Sequence, residues 1–249
     1  MILTAALVSA LYVLAVGTST GREAEGVLYV NPHPFGDRVW AAAIATVNVW
    51  TVPGVAAIAI LLATKNHGAG RIVAVLIVGA NASTFVLERA VERLDPVGGE
   101  RLRDLGEGFF PSGHATAAMS LGCAIVLAVP TSCAPLVSLV MSLYVAAVGV
   151  ALVTPGNHHL SDVLAGMLIA AAWARTADPA HRPAPVRGRA VLVAAMLVGI
   201  VGGCLAAWVS GLAPDDYPDL VIAAGVVTVA AFIIADLGLR RRASAAELP

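Results

Sequence analysis

Charge is scarce in this sequence. Only 12% of its 249 residues are Asp, Glu, Lys or Arg, while 59% are hydrophobic. A soluble domain carries about 25% charged residues, so the scarcity excludes an ordinary soluble fold. The net charge of −1 comes with no basic patch, which leaves no footing for nucleic acid as a partner. Lysine is nearly missing: Lys65 is the only one, and arginine carries the rest of the positive charge. That usage, with abundant Ala and Val, fits a GC-rich bacterial genome. Cysteine is equally sparse. Cys123, Cys133 and Cys204 lie in or beside apolar segments without metal-ligand spacing, so they read as small buried hydrophobes. No His/Cys/Asp/Glu cluster suggests a metal, and no cofactor is expected. The opening stretch "MILTAALVSALYVLAVGTST" lacks a positive leader region and reads as a first span, not a cleaved signal. No internal repeat is visible.

What the chain does have is apolar runs. They recur at about the 20 residues that a helix needs to cross a bilayer. Eight candidate spans cover 1–19, 40–64, 72–90, 115–132, 136–154, 160–176, 190–212 and 219–239. The expected fold is therefore an all-α integral membrane protein. Its domains read as a six-span body over 1–176, a Pro/Arg-rich linker over 177–189, two further spans within 190–242 and a disordered tail over 243–249. Asn48, Pro53 and Asn81 lie inside spans, where hydrogen bonding between helices or a tolerated kink accounts for them.

Charge orients the spans. Lys65, Arg71, Arg175, Arg182, Arg187, Arg189 and Arg240 to Arg242 fall on the side that holds both termini. The opposite loops are rich in Asp and Glu. By the positive-inside rule both termini are cytoplasmic, in a cell membrane. Three polar segments then meet on the external face.

The first is "PSGH", Pro111 to His114, at the mouth of the fourth span. Gly113 lets backbone approach a ligand closely, Ser112 offers a hydroxyl, and the amides of a helix start form an anion site. The second is "NHHLSDVLAG", Asn157 to Gly166. With Asn157 as the expected N-cap of the sixth helix, His158 and Asp162 lie one turn apart and can touch. A carboxylate on one imidazole nitrogen fixes the tautomer and frees the other nitrogen, which suits a nucleophile or a general base. Read alone, the pair is equally an interfacial His and an acid favoured by the helix dipole. The third segment is "LERAVERLDP", Leu87 to Pro96.

"FPSGH" followed some forty residues later by "HHLSDVLAG" resembles the type 2 phosphatidic acid phosphatase superfamily of membrane lipid phosphatases. That family carries K-x6-R-P, P-S-G-H and S-R-x5-H-x3-D motifs. The resemblance covers about Glu88 to Gly166, and the last two spans lie outside it. It implies His158 as the nucleophile that forms a phosphohistidine, Asp162 as its orienter, and His114 as the acid and later the base. It implies Ser112 and the Gly113 N–H as phosphate contacts, and needs no metal. The implied substrate is a lipid phosphomonoester or pyrophosphate, for example phosphatidic acid, phosphatidylglycerol phosphate or a polyprenyl phosphate, met among membrane lipids.

Three family cations are absent. With Pro96 fixing the register, Glu88 stands at the Lys position and Asp95 at the Arg position, and Leu152 replaces the Arg of the third motif. Phosphoryl transfer needs cations or N–H groups around the reacting phosphate. Arg89 and Arg93 flank the vacated positions and are the expected replacements; Arg101 and Arg103 read as a solvated loop, and His159 adjoins His158. The alternative is a lipid-binding or accessory subunit of a membrane-protein complex, which the lost cations favour and the intact His114, His158 and Asp162 oppose. Phosphoryl transfer to an alcohol is a further alternative. A transporter has little support, since no paired Gly/Pro breaks surround an intramembrane charge.

Overall fold

A computed structural model of the chain describes residues 2–27, 41–47, 67–91, 110–130, 132–153, 158–176, 222 and 224–233. The protein is an all-α membrane protein, and no strand occurs among the described residues. Helix α1 (Ile2–Leu11) runs into a π-helical segment, Tyr12–Val16, and is followed by α2 (Ser19–Val27). Then come α3 (His67–Ala90), α4 (Gly113–Ala128), α5 (Ala134–Val153) and α6 (Leu160–Ala174). A last described helix, α7, covers Ala224–Ile233.

Length separates these helices. Over Gly70–Ala90 and Ala134–Val153, α3 and α5 are long and apolar enough to cross a membrane by themselves. The first span becomes a third if its bent pair is counted as one, because the chain turns by 86° between Thr4–Val16 and Ser19–Glu25. The span read as 1–19 is thus a helix that ends at a sharp corner. Thr18 makes the corner: its hydroxyl accepts the Gly21 N–H at 3.0 Å, capping α2. Of the other spans, those read as 72–90 and 136–154 are present with shifted ends, whereas 115–132, 160–176 and 219–239 hold the shorter apolar helices α4, α6 and α7. Of the span at 40–64 only 41–47 is described, and the span at 190–212 lies outside the described residues.

Helix α4 is the centre of the bundle. It is apolar on all sides, as a helix surrounded by others must be, and Ala115 to Ala124 are all buried along it. It packs against α3, α5 and α6, while α1 packs against α6. The outer helices keep apolar faces open. Val75, Val78, Phe85 and Val86 on α3, and Leu136, Leu139 and Val140 on α5, are exposed in the manner of lipid-facing positions. Helix α7 also joins the bundle, for Val227 is fully buried and its Cγ1 lies 2.6 Å from the Cβ position of Gly149 on α5.

Polar rungs set the register between α3 and α4. Asn81 Nδ2 donates to Ser120 Oγ at 3.2 Å, and one turn on, Thr84 and Thr116 share a buried hydroxyl hydrogen bond of 2.8 Å. Residues 81, 84 and 88 lie on one face of α3, so the next rung brings Glu88 to the start of α4. Asn81 therefore joins two helices, as expected of a polar residue at membrane depth. On the other side, Gly166 of α6 admits α4. A Cβ there would stand 2.5 Å from the Ser112 carbonyl oxygen and 2.9 Å from Thr116 Oγ1. These contacts bring the ends of α3, α4 and α6 to one place.

Candidate active site

Helix α4 begins where its sequence can cap it. Ser112 is extended (φ −71°, ψ 119°), and its Oγ accepts the Ala115 N–H at 3.3 Å. Its own N–H donates to the Asp162 carbonyl at 2.9 Å, tying the start of α4 to the first turn of α6. Ser112 is fully buried. Because α4 starts at Gly113, His114 lies within its first turn instead of preceding it.

Helix α6 starts later than the sequence reading places it. Its N-cap is His159, not Asn157, which lies outside the described residues. The reason is a capping box. The His159 side chain takes the Asp162 N–H, and Asp162 Oδ2 accepts the His159 N–H at 2.9 Å. His158 therefore precedes the helix, held by its N–H on the Leu152 carbonyl at 3.0 Å. Leu152 itself is buried at the end of α5, so the position of the third-motif Arg supplies a backbone anchor and no charge.

These constraints bring the two histidines together. The rings of His114 and His158 have centroids 6.2 Å apart in an edge-on arrangement. One substrate group can reach both at that separation. Asp162 is fully buried beside them, with Oδ2 3.8 Å from His158 Nδ1. That distance is too long for a hydrogen bond, and His158 Nδ1 is buried without a partner. Bonds of this kind are often long before substrate arrives. His114, His158, Asp162, Ser112 and Gly113 thus share one end of the bundle.

The flanking residues divide differently. Arg89 is turned away: its guanidinium lies 3.3 Å over the Phe85 ring and donates to the Phe85 carbonyl at 3.1 Å. It is exposed and is not brought to the histidines. Arg93, Asp95, Arg101 and Arg103 lie outside the described residues. Glu88, by contrast, enters the site. It accepts a hydrogen bond from the Gly113 N–H and lies within electrostatic reach of His158.

Glu25 is a residue that sequence reasoning missed. It is buried, and its Oε1 accepts the Ser161 N–H at 2.9 Å, at the start of α6. Its signal was the capping Thr18 ahead of a short charged stretch, which marks a separate helix lying across the end of the first span. Among the described residues, no group of three or more His, Cys, Asp or Glu could hold a metal ion.

Residues 73–181 match the PAP2 superfamily. Over that stretch, which is under half of the chain, the sequence is similar to the PAP2 superfamily. Searches of curated proteins and of solved structures gave no match. The superfamily match takes in α4, α5, α6 and the larger part of α3, and with them both histidines and Asp162. It points to phosphatase activity on lipid-like phosphate esters.

Proposed function

We propose that the protein is a membrane phosphatase that hydrolyses a lipid phosphomonoester or pyrophosphate through a phosphohistidine on His158. The observation that carries this reading is the meeting of His114 and His158, 6.2 Å apart, beside the buried Asp162. His158 attacks phosphorus, a P–N bond forms, and the P–O bond to the lipid breaks. His114 gives its proton to the leaving oxygen. Water, losing its proton to His114, then attacks phosphorus, and the P–N bond breaks to release inorganic phosphate. Asp162 holds the imidazolium that forms on His158. The Gly113 amide, Ser112 and Arg93 supply contacts to the phosphoryl oxygens.

A lipid substrate is supported by a cavity of about 210 Å³ between α1, α3 and α6, lined by Val8, Leu87, Ile169 and Trp173 among others. An acyl or prenyl chain is of the chemistry that such an apolar space between helices accepts. The external location is supported by charge. Arg71 opens α3 and Arg175 closes α6, both at the end opposite the histidines, which agrees with the positive-inside rule and cytoplasmic termini. The six-span body with a two-span addition remains the proposed domain plan.

Phosphate release from a panel of lipid phosphates and pyrophosphates, by the detergent-purified protein beside His158→Ala, tests the reading. Release that disappears in the variant is the expected result. The accessory-subunit reading has one observation in its favour, the Glu88 carboxylate on the Gly113 amide. Wild type and variant equally inert on every substrate, with lipid still bound, would establish it instead.

A further inference from the structure

Glu88 has no part in the mechanism above, yet it stands at its centre. Its Oε1 lies 2.9 Å from the Cβ position of Gly113, in the space that this glycine leaves open, and the Gly113 N–H donates to it. An amide at a helix start is where a phosphate oxygen would bind. The place is therefore held by an anion from the protein itself. The register is not accidental, since the Asn81–Ser120 and Thr84–Thr116 rungs fix which face of α3 meets α4. His158 also lies within electrostatic reach of Glu88. The neighbouring cation Arg89 is committed to Phe85.

We propose that Glu88 is an affinity-limiting residue, a resident anion that any phosphoryl group must displace from the Gly113 amide. The inference rests on the phosphatase reading and deepens it. Displacement weakens every phosphate ligand by the same factor. A lipid ester offsets that factor by burying its chain, whereas a soluble phosphate has nothing to offset it with. Glu88 thus leaves the ratio between lipid and soluble phosphates as chain burial sets it, lowers both affinities, and lets the product, inorganic phosphate, leave.

The test is the affinity of the full chain in detergent for inorganic phosphate and for orthovanadate, read by calorimetry. Glu88→Ala removes the resident anion. Glu88→Gln keeps an acceptor on the amide and removes only the charge. A hydrogen bond to a charged group is equivalent to about tenfold or more in affinity. Glu88→Ala should therefore bind phosphate at least about tenfold tighter than wild type, with Glu88→Gln in between. Affinities within about twofold of wild type in both variants would overturn the proposal. Should Glu88→Ala fail to fold, the near-isosteric Glu88→Gln decides by the same criterion. The two readings fail separately. Tighter phosphate binding without turnover of any lipid phosphate removes the phosphatase and leaves the role of Glu88. Turnover that needs His158, with phosphate affinity indifferent to Glu88, does the reverse.

Discussion

Gly166→Ala adds one methyl group at a tight helix crossing, where α6 meets the start of α4. The new Cβ would stand 2.5 Å from the Ser112 carbonyl oxygen, 2.9 Å from Thr116 Oγ1 and 3.1 Å from Thr116 N. Relaxed contacts between heavy atoms need about 3.5 Å. Two of the three obstructing atoms are backbone, which has no rotamer with which to yield. Helices α4 and α6 must therefore separate by about 1 Å. Overpacking of this kind costs about 1–3 kcal/mol, and roughly 2–4 °C of unfolding temperature goes with each kcal/mol in a chain of this size. The same shift strains the Ser112 N–H to Asp162 carbonyl bond of 2.9 Å and moves His114 relative to His158. A misplacement of about 1 Å costs on the order of 100-fold in rate.

The assay pairs thermal unfolding with phosphate release, both in one detergent. Gly122→Ala is the control, because its Cβ would meet Met141 Cβ at an ordinary 3.4 Å. The control should unfold at or slightly above the wild-type temperature, since alanine is the better helix former. Gly166→Ala should unfold several degrees lower and lose most turnover. If Gly166→Ala matches the control in both measurements, the close approach of α4 and α6 does not position the histidines, and the argument fails. The thermal comparison stands even before a substrate is known.

Two other substitutions separate scaffold from chemistry. In Asp162→Asn the side-chain oxygen can still accept the His159 N–H, so the cap of α6 should hold and unfolding should cost no more than about 1–2 kcal/mol. Phosphate release should fall roughly 10²–10⁴-fold, because the charge beside His158 is gone; an unchanged rate would reduce Asp162 to a helix cap. Glu25→Ala leaves the Ser161 N–H without the acceptor it now has at 2.9 Å. It should cost about 1–2 kcal/mol in chemical or thermal unfolding, and no loss would mean that α2 does not hold α6.

The apolar helices were legible because hydropathy alone reports them, and the PSGH and H-x3-D spacings marked the two histidines. What hydropathy could not show was where each helix begins. Those starts depend on single side chains. Ser112 caps α4 and so draws His114 into its first turn, and the reciprocal bonds of His159 and Asp162 start α6 after His158. An S/T-x-x-E pattern is easily read as a capping box; the same box with His first and Asp fourth is not. The right angle after Val16 was hidden for a similar reason, since Thr18 both ends an apolar run and caps a charged helix. Register between α3 and α4 was more accessible than it looked. Asn81, Thr84 and Glu88 already share a face in the sequence, and only their partners on α4 needed the structure.

The same helical geometry bears on the missing cations. Residues one step apart on an α-helix point about 100° away from each other. The polar rungs commit the face of α3 that carries Glu88 to α4, so its neighbour Arg89 is carried away and stacks on Phe85. Adjacency to the family's Lys position thus removes Arg89 from consideration. A phosphoryl group between His114 and His158 still needs positive charge as it transfers. Of the two expected replacements, that leaves Arg93 as the one to test. Arg93→Ala should lower phosphate release on the order of 10²–10³-fold, the loss expected for one strong donor to the transition state. Arg89→Ala should leave release within about twofold. Measured side by side on one lipid phosphate, the reverse order would show that α3 turns its end toward the histidines when substrate binds. Equal indifference to both would place the stabilising charge in the Gly113 amide and the protonated His114 alone.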